Sequence, residues 1–416
     1  MLRFPTLLAL LAALSSFARS AHAEDEPVFD EGSVETPPAE KPKWYDRIQL
    51  RGYTQFRYNR IPVPHQNDEI VNHQGDRSIG GGNGFSIRRL RLVLSGDLHE
   101  HLAIYIQPDL VSTANGQIHV MVMRDVYADV FFDAKRELRL RVGQSKVPYG
   151  FENLQSSQNR LALDRDDALN SALKDERDLG AFFYYSPVVA QERFRHLVSS
   201  GLKGSGDYGV VGFGVYNGQG ANQLALADDV HVVARVAYPF LFGSQYVELG
   251  AGGYYGKYRV TFDETQYTTP NGERDILDAR GFATIVVYPQ PFGFQAELTY
   301  GVGPSQGDRG APDRNVIEAR RLVGAYAQLM YKIDDPFGTV AIIPYVRGTY
   351  YDGGKKFFAN APHYRVKELE IGVEWQILPQ LELSLAYDIV ERTSDVAPYD
   401  EERGHVGRVQ LQINYP

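Results

Sequence analysis

No cysteine occurs anywhere in the 416 residues. That excludes disulfide staples, thiolate metal sites and cysteine nucleophiles. Tryptophan is nearly missing as well, with two copies. No segment after the leader approaches the ~18 uninterrupted apolar side chains of a membrane-crossing helix. A basic surplus is also lacking: the formal net charge is −9, which argues against nucleic acid as a partner. None of these absences excludes a membrane, because strands that turn one polar face to a lumen never build a long apolar run.

Glycine (40), tyrosine (27) and phenylalanine (21) are abundant. The first residues read as an export signal. Arg3 supplies a positive start, Phe4 to Leu14 is a short apolar run, and Ala21-His22-Ala23 is a small-x-small cleavage signature. Cleavage there would remove Arg3 and Arg19 and no acid, which takes the formal charge from −9 to about −11. Residues 24–46 then read as an acidic periplasmic linker. Glu24, Asp25, Glu26, Asp30, Glu31, Glu35, Glu40 and Asp46 face only Lys41 and Lys43, and Pro27, Pro37, Pro38 and Pro42 break regular structure. The expected organisation is a signal peptide at 1–23, a linker at 24–46 and one barrel at 47–416.

From Arg47 onward polarity alternates with period two, the strand period. Ile48, Leu50, Gly52, Thr54 and Phe56 alternate with Gln49, Arg51, Tyr53, Gln55 and Arg57. Leu90, Leu92 and Leu94 alternate with Arg89, Arg91 and Val93, and Leu138, Leu140 and Val142 with Arg139 and Arg141. Leu369, Ile371 and Val373 oppose Glu368, Glu370 and Glu374, while Leu381, Leu385 and Ile389 oppose Glu382 and Asp388. Arg and Glu in the middle of strands favour a wet lumen over a dry sandwich core. Connections also alternate in length. Asp97–Glu100, Asp133–Glu137 and Phe240–Ser244 are short; 60–83, 145–177, 257–277 and 303–319 are long and polar. Short turns at one end and long loops at the other are the outer-membrane pattern. The chain is therefore read as all-β, a transmembrane antiparallel β-barrel of 16 strands in the bacterial outer membrane. Stretch 178–204 leaves an ambiguity. Arg195 to Lys203 could add a strand, but an even number is required, so Pro187–Glu192 is read as a bulge or surface excursion.

Four segments carry a family resemblance: Arg88-Arg89-Leu90-Arg91-Leu92-Val93-Leu94-Ser95-Gly96, Gly143-Gln144-Ser145-Lys146-Val147-Pro148-Tyr149-Gly150, Arg177-Asp178-Leu179-Gly180 and Gly214-Val215-Tyr216-Asn217-Gly218. In that order and spacing the chain resembles the phosphate-selective porin O and P family over residues 47–416. The resemblance implies a homotrimer of 16-stranded barrels, a third extracellular loop folded into each pore, and basic residues along the route.

Two sets of side chains are then candidates. Arg51, Arg57, Arg89, Arg91, Arg139, Arg141 and Lys146 would line an anion path. Lys146, Arg160, Arg165 and Lys174 would sit on the constriction loop. Within 145–177 five bases meet six acids (Glu152, Asp164, Asp166, Asp167, Asp175, Glu176), so the loop is no purely basic funnel. Glu297, Glu368, Glu370, Glu374, Glu382 and Asp388 would form an acidic wall opposite. The expected function is passive diffusion of small hydrophilic solutes, leaning to anions such as phosphate. A non-specific porin and a closed surface-binding barrel are the alternatives. The expected surroundings are outer-membrane lipid and lipopolysaccharide. No catalytic residue, cofactor or metal is expected. Asp164-Arg165-Asp166-Asp167 lacks the glycine and terminal glutamate of a calcium loop, and His196, Ser199 and Ser200 have no placed carboxylate.

Overall fold

A computed structural model describes residues 43–64, 84–114, 117–394 and 401–415. The signal peptide and nearly all of the linker lie outside the described residues. Sixteen strands form the wall: β1 (Ile48–Pro64), β2 (Gly84–His99), β3 (Leu102–Ala114), β4 (Gln117–Phe131), β5 (Leu138–Lys146), β6 (Arg177–Tyr185), β7 (Val211–Tyr216) and β8 (His231–Phe242). They continue as β9 (Gln245–Arg259), β10 (Asp275–Val287), β11 (Phe292–Ser305), β12 (Glu318–Tyr331), β13 (Ala341–Gly354), β14 (His363–Leu378), β15 (Leu381–Ser394) and β16 (Glu401–Tyr415). A two-residue pairing, Ile333–Asp334, prolongs the ladder against β13.

Each strand pairs antiparallel with its chain neighbours. The ring closes where β1 meets β16, from Gly52 opposite Tyr415 to Pro64 opposite Gly404. Closure matters because hydrocarbon offers no partner to a bare N–H or C=O; a sheet with an edge could not sit there.

The alternation places side chains as expected. Gln55, Arg57, Arg91 and Asp109 are buried on the inward face, while Leu50, Leu92, Leu249 and Leu298 are exposed on the outward face. Exposed aromatics gather near both strand ends: Phe132, Tyr185, Phe242, Phe292 and Tyr331 at the short-turn end, Phe85, Tyr255, Tyr300 and Tyr350 toward the other. Phe292 and Tyr300 bracket a stretch of β11 that spans roughly 26 Å along the strand at ~3.3 Å per residue. Tilt reduces that height to about 20 Å, close to the apolar band of an outer-membrane barrel.

The short-turn end has one exception. Between β6 and β7 the chain forms helix α2 (Val188–Ser199) and a returning segment up to Val210, with the shorter helix α1 (Asp167–Ala172) preceding β6. So Arg195 to Lys203 is not a strand, as the even count required, and of the two readings of Pro187–Glu192 the bulge is wrong: the chain leaves the wall there as the start of α2. The reason is the burial period. Ala190, Phe194 and Leu197 are buried at helical spacing on one face, and Leu197 and Leu202 pack with Phe151, Val286 and Tyr288.

Two bulges alter the inward face. Gln55 pairs with Arg89 and Phe56 with Ile87, which leaves Arg88 as the extra residue. Gln107 pairs with Asp125 and Pro108 with Met123, which leaves Arg124. Each bulge re-aims an arginine to the inward side, and both arginines are buried.

Leu298 lies midway along β11 on the outward face. Leu298→Arg is expected to destabilise the barrel by about 2–4 kcal/mol, read from urea-titrated unfolding in lipid vesicles. An unchanged midpoint would mean that this face does not meet hydrocarbon.

Candidate functional site: the barrel interior

The connection 147–176 is almost wholly buried, and the inward face explains how. Its apolar side rests on aromatics of the middle strands: Val147, Tyr149, Leu169 and Leu173 pack with Phe182, Tyr216, Tyr254 and Phe282. Gly150 makes the entry turn at φ +70°, and a Cβ there would stand 2.3 Å from a Glu297 carboxylate oxygen. Only glycine allows that approach. It lets Glu297 accept the backbone N–H of Phe151 at 2.9 Å and of Glu152 at 3.3 Å.

Charged groups of the wall complete the anchoring. Arg347 grips both oxygens of Glu152. Lys355 reaches Asp167 at 2.9 Å, and Glu370 accepts the N–H of Leu163 at 3.2 Å. Asp164 receives Arg57 at 3.3 Å, Arg88 at 3.8 Å and also Arg408. The returning segment after α2 is held the same way, with Lys203 on Glu374 and the amide of Gln155 donating to the Lys203 carbonyl at 2.7 Å. The expected acidic wall is therefore largely occupied. Glu297 and Glu370 bind the 147–176 connection and Glu374 binds Lys203, Asp388 holds Arg408 at 2.6 Å, Glu368 holds Arg392, and Glu382 accepts from Asn414 and Gln412.

A cavity of about 260 Å³ remains along the early strands. Its lining includes Arg51, Arg91, Arg141, Lys146 and Arg177, the tyrosines Tyr105, Tyr127 and Tyr208, and the acids Asp125 and Asp207. The cations are held from behind. Arg91 pairs with Asp109 at 2.9 Å and donates to the Tyr53 hydroxyl at 2.8 Å. Arg141 makes two 2.8 Å bonds to Asp129. Arg177 reaches Asp125 at 2.9 Å, and Lys146 reaches Glu176 at 3.2 Å and the carbonyls of Leu154 and Gln155.

Of the sequence-predicted path residues, Arg51, Arg91, Arg141 and Lys146 meet in this cavity; Arg57, Arg89 and Arg139 do not. Arg57 is turned to Asp164 and Gln410. Arg89 donates to Gln55 at 2.7 Å. Arg139 lies against the Asp207 carbonyl and over the Tyr184 ring. On the loop, Arg160 donates to the Ala162 and Leu163 carbonyls, Arg165 pairs with Glu176 at 3.0 Å, and Lys174 is half-buried without an ion-pair partner among the described residues. Arg177, Tyr105 and Tyr127 were absent from the predicted path, although for the tyrosines inward alternation would have found them. Arg88 and Arg124 could not be found that way, because their bulges break the period.

Among the described residues no cluster of His, Asp or Glu could hold a metal ion. The Asp164–Asp167 carboxylates are taken: by arginines, by the N–H of Leu169 that Asp166 caps at 3.1 Å, and by Lys355. Ser200 bonds His196 at 3.0 Å on an exposed helix end.

A closed barrel with a lipid-suited exterior and a polar, partly filled interior defines an outer-membrane channel. The profile of the family described as phosphate-selective porin O and P matches residues 65–415, and the chain belongs to that family of the bacterial outer membrane. The fold is also that of solved porins. Similar structures are the outer membrane channel DcaP of Acinetobacter baumannii (14% identity, 88% of this chain and 97% of that one, TM-score 0.52) and OmpF of Salmonella typhi in complex with daunomycin (11%, 88% and 97%, 0.53). OprB of Pseudomonas putida is a third (9%, 89% and 94%, 0.50). Comparison with curated protein sequences returned no match.

Burial pushes the Glu152 carboxyl up, but Arg347 outweighs it and holds the group below its ordinary value. A depressed carboxylate stabilises above the ordinary pKa of about 4.3, and its contribution is lost only as pH falls through the lower folded value. Glu152→Ala strands a buried guanidinium and is expected to cost about 3–5 kcal/mol in urea unfolding. An unchanged unfolding midpoint in Glu152→Ala would contradict the pairing.

Proposed function

We propose that this porin passes small anions passively through the cavity along β1–β5, with segment 147–176 as its constriction loop. The observation that carries the reading is the cavity surface: five cations against two acids, with the carboxylates that pair Arg91, Arg141 and Lys146 set behind the lining. A surface with an excess of one sign of charge between low-dielectric walls raises the local concentration of counter-ions. Arginine suits the task because it stays charged and offers a fixed donor fork to oxyanions. Nothing in the site calls for energy coupling, so solutes would follow their gradient. The filled half of the barrel would set the size limit and the cavity wall the charge preference. In this reading the long connections face the exterior, α2 faces the periplasm, and the outward apolar belt meets outer-membrane lipid and lipopolysaccharide. The signal peptide at 1–23 and the linker at 24–46 would deliver the barrel at 47–416. Three such barrels would assemble as a homotrimer, as the family resemblance implies. The same reading makes the chain a channel and not an enzyme.

One observation favours a second reading, a barrel closed to solutes. The loop and the α2 segment meet inside through Phe151, Leu197 and Leu202. Stepwise conductance in a planar bilayer separates the two. The open reading also predicts that Arg91→Ala together with Arg141→Ala lowers the anion-to-cation permeability ratio by roughly threefold or more. Reversal potentials in a potassium chloride gradient measure it, and an unmoved reversal potential would reject the anion path.

A further inference from the structure

We infer that the cavity contains a subsite for a flat aromatic carboxylate, formed by Arg51 and Tyr105. The inference rests on the open-channel reading and names a solute class for it. Four side chains stack across the early wall. The Arg51 guanidinium lies 6.0 Å from the Tyr105 ring centre. Tyr105 and Tyr127 stack at 5.0 Å, with planes 6° apart. Arg141 caps the far face of Tyr127 at 3.8 Å. Tyr127 is thus covered on both faces. Arg51 itself lies over the Tyr105 ring, but 2.2 Å farther from its ring centre than Arg141 is from that of Tyr127, so this is the loosest layer of the stack.

Charge separates Arg51 from its neighbours. Arg91, Arg141, Arg177 and Lys146 each hold a carboxylate at 3.2 Å or less. Arg51 has no ion-pair partner among the described residues, and it is exposed within the wall while those four are buried or nearly so. The cavity therefore has one exposed cation without an ion-pair partner among the described residues, loosely set over an aromatic ring that it can uncover by turning aside. A guanidinium fork takes a carboxylate through two parallel bonds, and aromatic rings gain from offset stacking. A solute that carries both groups uses both features. A phosphate dianion would leave the ring unused. Size permits the occupant, because about 150 Å³ already admits a benzene ring and the cavity offers about 260 Å³.

Block of chloride current through the full chain in planar bilayers tests the subsite, with benzoate, acetate and inorganic phosphate as probes. Benzoate is expected to reach half-block at a concentration roughly three- to tenfold below that of acetate and below that of phosphate. Arg51→Gln should abolish the preference, and Tyr105→Leu should bring benzoate to the acetate level. Open channels that phosphate blocks better than benzoate, or an Arg51→Gln channel with unaltered benzoate block, would overturn the subsite and leave the porin reading standing. Channels that never open would remove that reading, and the subsite with it. The comparison of probes on the unaltered chain needs no variant, so a misfolded substitution does not decide the outcome.

Discussion

Hydrocarbon gives the backbone nothing to bond to, and the rest of the structure follows from that constraint. An unsatisfied peptide group in the bilayer core costs several kcal/mol. The β1–β16 pairing removes the last free edge and at once creates an interior. Alternation then makes that interior polar, because outward positions must be apolar. Once inside, side chains such as Arg347, Glu297 and Arg408 need either water or chain as partners.

Both solutions are used, on different arcs of the wall. Along β6–β15 the partners are protein. Phe182, Tyr254 and Phe282 give the loop an apolar seat, while Glu297, Arg347 and Glu370 bind its backbone and Glu152. Along β1–β5 the inward groups are arginines backed by aspartates of the adjoining strands, and space remains in front of them. A buried ion pair of this kind adds little net stability by itself. Its effect is positional: it fixes guanidinium groups at the wall of the cavity.

The closed barrel was legible because period two survives over almost every strand, and the 16-strand reading needed that period, the alternation of turn lengths and the requirement of an even count, which set aside Arg195 to Lys203 as a further strand. The candidate site was legible in part. Arg51, Arg91, Arg141 and Lys146 fall on regular alternation, and the structure brings them together. Arg88 and Arg124 were hidden because a bulge adds one residue and is not marked by residue type here. Helix α2 was hidden by local β character around Phe182–Tyr185, although Ala190, Phe194 and Leu197 carried the helical period. The use of the acidic wall as an anchor was out of reach, since contacts such as Arg347–Glu152 join residues far apart in the chain and no local pattern encodes them.

Because the chain lacks cysteine, single cysteines can report where water runs. Arg51→Cys lies on the open arc. Thr299→Cys lies on the filled arc, where the native hydroxyl is buried against Tyr149 at 3.2 Å. The measurement is the rate at which a membrane-impermeant thiol reagent modifies each in the folded barrel, with current recorded throughout. The account predicts fast modification and loss of current at position 51 and protection at position 299. Equal rates at both, or modification at 299 alone, would contradict an aqueous route confined to β1–β5.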